Sequence, residues 1–223
     1  MSFYTTLVES TAGERNALMA TSLVRDALSG QLTRERYAAF LCQAYHHVRH
    51  TVPLLMAVGS RLDASREWLR SAVAEYIEEE IGHQEWVLND IAACGYDRDL
   101  AAASQPNPAT ELMVAYAYHV IDRVNPVGFF GMVHVLEGTS IAVADQAAEA
   151  IMGSTGLPPE AFTYLRSHGA LDIEHVDFFR GLMDKVDDDA DRALILHCAG
   201  MFYRLYADVF RGVEADQVAA LAA

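Results

Sequence analysis

The chain has 223 residues, 52% of them hydrophobic, and a formal net charge of −15. That length and apolar content support a sizeable folded core and exclude a disordered chain. The acidic balance argues against nucleic acid and anionic membranes as partners, because both call for a basic surface. The first ten residues, MSFYTTLVES, lack the basic start and apolar centre of a signal peptide. No apolar run reads as long enough to span a membrane. Cys42, Cys94 and Cys198 are odd in number and form no C-x-x-C, which suits buried thiols in a reducing cytoplasm.

In chain order, residues 3–29 carry a helical pattern that ends near Ser29-Gly30. Thr33 to Arg36 reads as a cap and first turn, opening a second helix that Pro53 should kink. A third helix is expected from about Asp63 to Gly95, a loop over 104–109, and a fourth helix over 110–124, stopping before Asn125-Pro126. The fifth covers 127–152 and ends at Gly153. Leu157-Pro158-Pro159-Glu160 starts the sixth, which ends near Asp187 to Asp189, and a seventh fills the C-terminus. No stretch alternates persuasively as a strand. The expectation is a single all-α domain over 1–223, a bundle of about seven long helices, with any metal site built from facing helices in its core.

The sixth helix carries His168, Asp172 and His175 as H-x-x-x-D-x-x-H. Positions i, i+4 and i+7 share a helix face. Imidazole with carboxylate suits iron, manganese or zinc better than calcium or magnesium. The plain alternative is an amphipathic helix with histidines on its polar side. On the third helix, Glu80 and His83 stand at i and i+3, a Glu-x-x-His spacing used by dinuclear carboxylate bundles. Glu75, Glu78, Glu79 and Glu85 read as a solvated face. Tyr76 lies one turn before Glu80, either beside a site or as core. Glu137 is a lone carboxylate in an apolar helix, which is costly unless it is paired or bound to metal. His134 lies one turn before it, as a proton-handling residue or a satisfied core histidine. His46, His47 and His50 read as a ligand, a proton-transfer group or surface residues, with His46 taken as the candidate ligand, and His119 and His197 read as structural. Three carboxylates and three imidazoles around two divalent ions would leave a local charge near +1, which a core tolerates better than three bare carboxylates.

These residues resemble the haem-oxygenase-like diiron oxidase and oxygenase family, which has the haem-oxygenase helical fold but binds two non-haem irons. Its sixth core helix carries H-x-x-x-D-x-x-H, matched by His168, Asp172 and His175. A glutamate on the preceding core helix is matched by Glu137, and a histidine about fifty residues earlier by His83. Gly131 to Ser140 is similar to the superfamily helix that reads roughly G-x-x-Y-V-L-E-G-S. Haem oxygenases take their axial histidine from the first helix, and no histidine here precedes His46, so the resemblance supports the fold and not haem. Two departures stand out. Some members have a carboxylate where this chain has Tyr76, and Glu80 fills the closer position used by the alkene-forming fatty-acid decarboxylase branch. A glutamate expected on the second helix falls near His46 or His47, so the second iron site has an altered ligand, a weaker hold, or another metal.

The resemblance implies two Fe(II) per chain, dioxygen as co-substrate, an external electron donor, and a small amine- or carboxylate-bearing substrate undergoing N-oxygenation or oxidative C–C cleavage. It also implies a homodimer, and Tyr76 and His134 as catalytic candidates. No flavin or nicotinamide fingerprint supplies the electrons internally. Phe129-Phe130, Phe178-Phe179 and Met201-Phe202-Tyr203 are pocket-lining or ordinary core, and Arg49 or Arg123 is a candidate partner for a substrate carboxylate. The rival readings are three. One is a metal-free relative, either a pyrroloquinoline-quinone-synthase-like oxidase or a thiaminase-like hydrolase with a cysteine nucleophile. Another is a metal-binding protein without turnover. The last is a protein that consumes its own Tyr76.

Overall fold

The computed structural model describes residues 2–221, with the side chains of 168–175 excepted. Its elements are α1 (Phe3–Ser10), α2 (Ala12–Met19), α3 (Ser22–Leu28), α4 (Arg34–Val48), α5 (Thr51–Arg61), α6 (Glu67–Glu80), α7 (His83–Ala93), α8 (Arg98–Ala103), α9 (Pro108–His119), α10 (Phe130–Thr155), α11 (Thr163–Met183) and α12 (Asp189–Arg211), with short 3-10 and π turns between them. Among the described residues there is no strand, so the all-α expectation holds. Among the described residues the helices number twelve and not about seven, because three of the expected long helices are broken by local backbone choices and the short α8 forms after Gly95, where no helix was expected.

The first break is at Thr11, whose hydroxyl donates back to the Leu7 carbonyl at 2.7 Å as α1 ends. The extended Thr21 then separates α2 from α3. The second break falls at Arg49-His50, one turn before the expected kink. A proline ring clashes with the carbonyl four residues earlier, which for Pro53 is Arg49. In α5, Pro53 sits in the first turn, where a missing N–H costs nothing. The third break separates α6 from α7 at an extended Ile81 and a left-handed Gly82 with φ +97°, a conformation that glycine adopts freely. Elsewhere the caps follow the expected chemistry. Thr33 accepts from the Arg36 amide at the start of α4. The cap of α10 is Gly156 at φ +68°, three residues beyond the expected Gly153.

Helix α10 runs through the centre, packed against α11, α12 and α3. The stretch Pro126–Thr155 is, by length and composition, apolar enough to cross a membrane, contrary to the reading of the sequence; 61% of its most apolar window is buried within the protein. Two glycines let it press on α12. A Cβ on Gly131 would lie 2.6 Å from the Ala199 amide nitrogen, and one on Gly128 would lie 2.9 Å from Cys198 Sγ. That close approach fixes the height of Glu137, two turns further along α10.

Candidate functional site

Glu80 is the last residue of α6 and His83 the first of α7. The two residues therefore do not share the face of one continuous helix, contrary to the expectation from their spacing. The Ile81-Gly82 turn joins the two residues, and Glu80 Oε2 lies 3.0 Å from His83 Nδ1. His83 is buried and its ring stacks on Trp86 at 4.0 Å.

One turn before Glu80, the buried Tyr76 meets Glu137 of α10. Burial pushes the Tyr76 phenol well above its ordinary pKa. The Glu137 carboxylate adds to the shift through its charge and a hydrogen bond, and Glu79 and Glu80 add further charge. The phenol therefore keeps its proton at any working pH. Its ring meets Phe178 of α11 edge-on at 5.5 Å. Tyr76, Glu80 and Glu137 line one chamber of about 60 Å³, walled by Leu54, Phe129 and Met132.

Glu137 also borders a second chamber of about 160 Å³, which it shares with Arg15, His134, Phe179 and Tyr203. His134 is buried, with Nε2 3.2 Å from Thr11 Oγ1, and its ring stacks on Phe179 at 6.1 Å. Burial first, and the Arg15 charge second, lower its pKa to about 4. It is neutral at pH 7.

The structure therefore brings Tyr76, Glu80, His83 and Glu137 together and sets His134 on the adjoining chamber. His46 lines neither chamber among the described residues; its Nε2 meets Ser104 Oγ at 2.9 Å. Burial, then Arg49 and His50, lower the His46 pKa to about 4. His47 faces the Tyr206 ring, and His50 Nδ1 lies 3.2 Å from the Tyr118 hydroxyl. The side chains of His168, Asp172 and His175 lie outside the described residues. Arg49 sits over the Tyr45 ring and Arg123 is exposed; neither lines a chamber. Arg15 and Thr11, which the sequence reading missed, come to the site from the N-terminal segment, and nothing in their local pattern marks them; Phe129, Phe179 and Tyr203, among the expected pocket-lining residues, do line the chambers.

Among the described residues no group of three or more His, Cys, Asp or Glu is placed to hold a metal. What is present is the pair Glu80 and His83, with Glu137 across the same chamber. Carboxylate with imidazole is a donor chemistry that fits iron. The cysteines offer no alternative nucleophile. All three are buried, and burial pushes the thiols of Cys42 and Cys94 up to about 12 and raises that of Cys198. They stay protonated, whereas the reactive form is the thiolate.

The fold is shared with solved structures. A domain of unknown function with a heme oxygenase-like fold from Shewanella denitrificans OS217 superposes with a TM-score of 0.86 at 23% identity, covering 96% of this chain and 92% of that one. Heme oxygenase-2 from Synechocystis sp. PCC 6803, in complex with heme and NO, gives 0.75 at 15% identity over 99% and 88% of the two chains. A TenA homolog from Pseudomonas syringae pv. tomato DC3000 gives 0.75 at 11% identity over 96% and 93%. At these identities the likeness is one of fold. No curated protein matches the chain in sequence. Residues 38–207, most of the chain, match the family described as iron-containing redox enzyme, and the chain belongs to that family.

Proposed function

We propose that this chain is a non-haem iron oxidase or oxygenase that uses dioxygen and an external electron donor to oxidise a small amine- or carboxylate-bearing substrate. The observation that carries the reading is the pair of half-buried Glu80 and buried His83, 3.0 Å apart, with Glu80 facing Glu137 across a chamber, in a member of an iron-containing redox family. The third donor group would be His168, Asp172 and His175 of α11. That helix packs along α10 and α7, which carry Glu137 and His83. Phe179, further along α11, is buried against His134 of α10.

Iron held by these groups would supply the one-electron and dioxygen chemistry that side chains lack. The protein's own residues do the rest. Glu80 orients the His83 ring, as a carboxylate beside a ligating imidazole does. Tyr76, protonated, faces Glu137 and limits its movement. Leu54, Phe129 and Met132 keep bulk water from the smaller chamber. At about 60 Å³ that chamber has room for dioxygen or a few waters and not for an organic substrate.

The test is anaerobic titration with ferrous iron followed by metal analysis and exposure to oxygen. The reading expects up to two irons per chain and an oxygen-dependent absorbance change. His83→Ala should lose at least half of the iron while circular dichroism stays helical. A native chain that takes up no iron sinks the proposal, as does full iron binding by His83→Ala.

A further inference from the structure

The larger chamber has a feature that the iron reading does not use. Its walls come from α1, α2, α10, α11 and α12, and are mostly apolar: Val8, Ile141, Val176 and Phe179. Within them stands Arg15 of α2, half-buried. The chain has 31 acidic residues against 16 basic ones, yet the Arg15 guanidinium makes no ion pair or hydrogen bond among the described residues. Its neighbour Glu14 is paired elsewhere, with Arg204 at 3.4 Å. The guanidinium is close enough to both His134 and Tyr203 to act on their protons. His134 is neutral at pH 7. The Tyr203 phenol, raised by burial to about 12 against the opposing charge of Arg15, keeps its proton and can donate. Among the described lining residues, then, Arg15 is the single cation. It faces a cavity of about 160 Å³ whose remaining polar groups are neutral donors and acceptors and the carboxylate of Glu137.

We propose that this chamber receives the organic substrate and that Arg15 binds its carboxylate, which makes the substrate a small monocarboxylate with a compact apolar body. A guanidinium is the side chain best shaped to take a carboxylate through two parallel hydrogen bonds. Cavities near 150 Å³ hold ligands of benzene size, which sets the compact body the chamber would enclose. Glu137 is the shared wall between this chamber and the smaller one. The substrate would thus lie on one side of Glu137 and dioxygen on the other. The assignment of a substrate rests on the iron reading; the binding claim can be tested without it.

The experiment is calorimetric titration of the full chain with benzoate and with benzamide, its uncharged isostere, with iron content measured on the same samples. The native protein should bind benzoate at least tenfold more tightly than benzamide. Arg15→Gln should weaken benzoate by 10- to 100-fold, the range expected for a charge-assisted hydrogen bond, and should leave benzamide and iron content unchanged. Arg15→Lys should restore part of the loss. Equal affinity for the two ligands, or no binding of either, overturns the proposal on the native protein alone, whatever the folding of the variants. An Arg15→Gln that keeps the benzoate preference overturns it too. If iron is not taken up but the benzoate preference stands, the iron reading fails and the Arg15 site survives; iron uptake without the preference means the reverse.

Discussion

Glu137 is the single acid on α10 between Phe130 and Ala144. A carboxylate in such a helix loses hydration that neutral partners replace only in part. One of its partners, Tyr76, is a phenol held in the protonated form. A glutamate kept for structure would be an expensive way to hold a tyrosine, because a buried charge is often no more stabilising than a neutral group of the same shape. Glu137→Gln separates the two roles. In metal-free protein it should leave stability unchanged or raise it by about 1–2 kcal/mol, while ferrous iron uptake falls at least tenfold. Thermal unfolding without metal, run beside iron analysis, reads both; a metal-free variant markedly less stable than the native chain would make Glu137 a structural partner. Tyr76→Phe is the companion case. It removes one hydrogen bond, worth about 1 kcal/mol, and should leave iron content as it was. A loss of iron from that variant would make Tyr76 part of the metal-holding set.

Helix α11 carries the H-x-x-x-D-x-x-H motif but has no capping side chain of its own, since its N-cap is Phe162. Asp90 of α7 supplies the cap, its two oxygens accepting from the amides of Thr163 at 3.1 Å and Tyr164 at 2.8 Å. The helix that begins with His83 thus anchors the start of the motif helix. Asp90→Ala should cost about 1–2 kcal/mol, the upper range for a lost N-cap, and the Thr163 and Tyr164 amides should exchange hydrogen faster. Unchanged exchange there would show that the cap does not hold the helix. On α10, Gly131→Ala should cost more, because the added methyl meets the backbone of Ala199 and Cys198 and not a side chain that can swing away. A melting temperature within two degrees or so of native would contradict that packing. These two helices also show what periodicity can and cannot convey. Apolar spacing marks where helices run, so the all-α architecture and the boundary before Asn125-Pro126 were legible. It does not mark where one helix becomes two. Thr11 breaks the first through a hydroxyl bonded back to Leu7. Gly82, visible as a glycine within a helical pattern, is the signal that should have divided Glu80 from His83. The pair itself was readable from its spacing, although a turn and not a helix face brings it together. Arg15 was not legible, because only tertiary packing carries α2 to Glu137.

At the scale of the molecule, the buried titratable groups set how the metal-free protein responds to acid, and they do not all act in one direction. His46 and His134 have folded pKa values near 4, lowered mainly by burial from 6.5. Between pH 6.5 and 4 each would take a proton when unfolded that it refuses when folded, so stability falls as pH falls through that range. Asp90 has the opposite sign. Burial, partly offset by its bonds to Thr163 and Tyr164, raises it from 3.8 to about 6. Between those values the folded state holds a proton that the unfolded chain releases, so stability falls as pH rises. Near pH 5 two histidines oppose one aspartate. From these three groups the unfolded state binds about one proton more than the folded state, and His50, lowered mainly by burial, acts in the same direction, so stability should rise with pH by at least about 1.4 kcal/mol per unit. Denaturant unfolding of metal-free protein between pH 4.5 and 6.5 measures the slope. His134→Gln should lower it by the share of one histidine, roughly 1.2 kcal/mol per unit. Asp90→Asn should raise it by a similar amount, whatever constant loss the altered cap adds. If His134→Gln keeps the native slope, His134 is not held neutral beside Arg15, and the electrostatic description of the larger chamber fails with it.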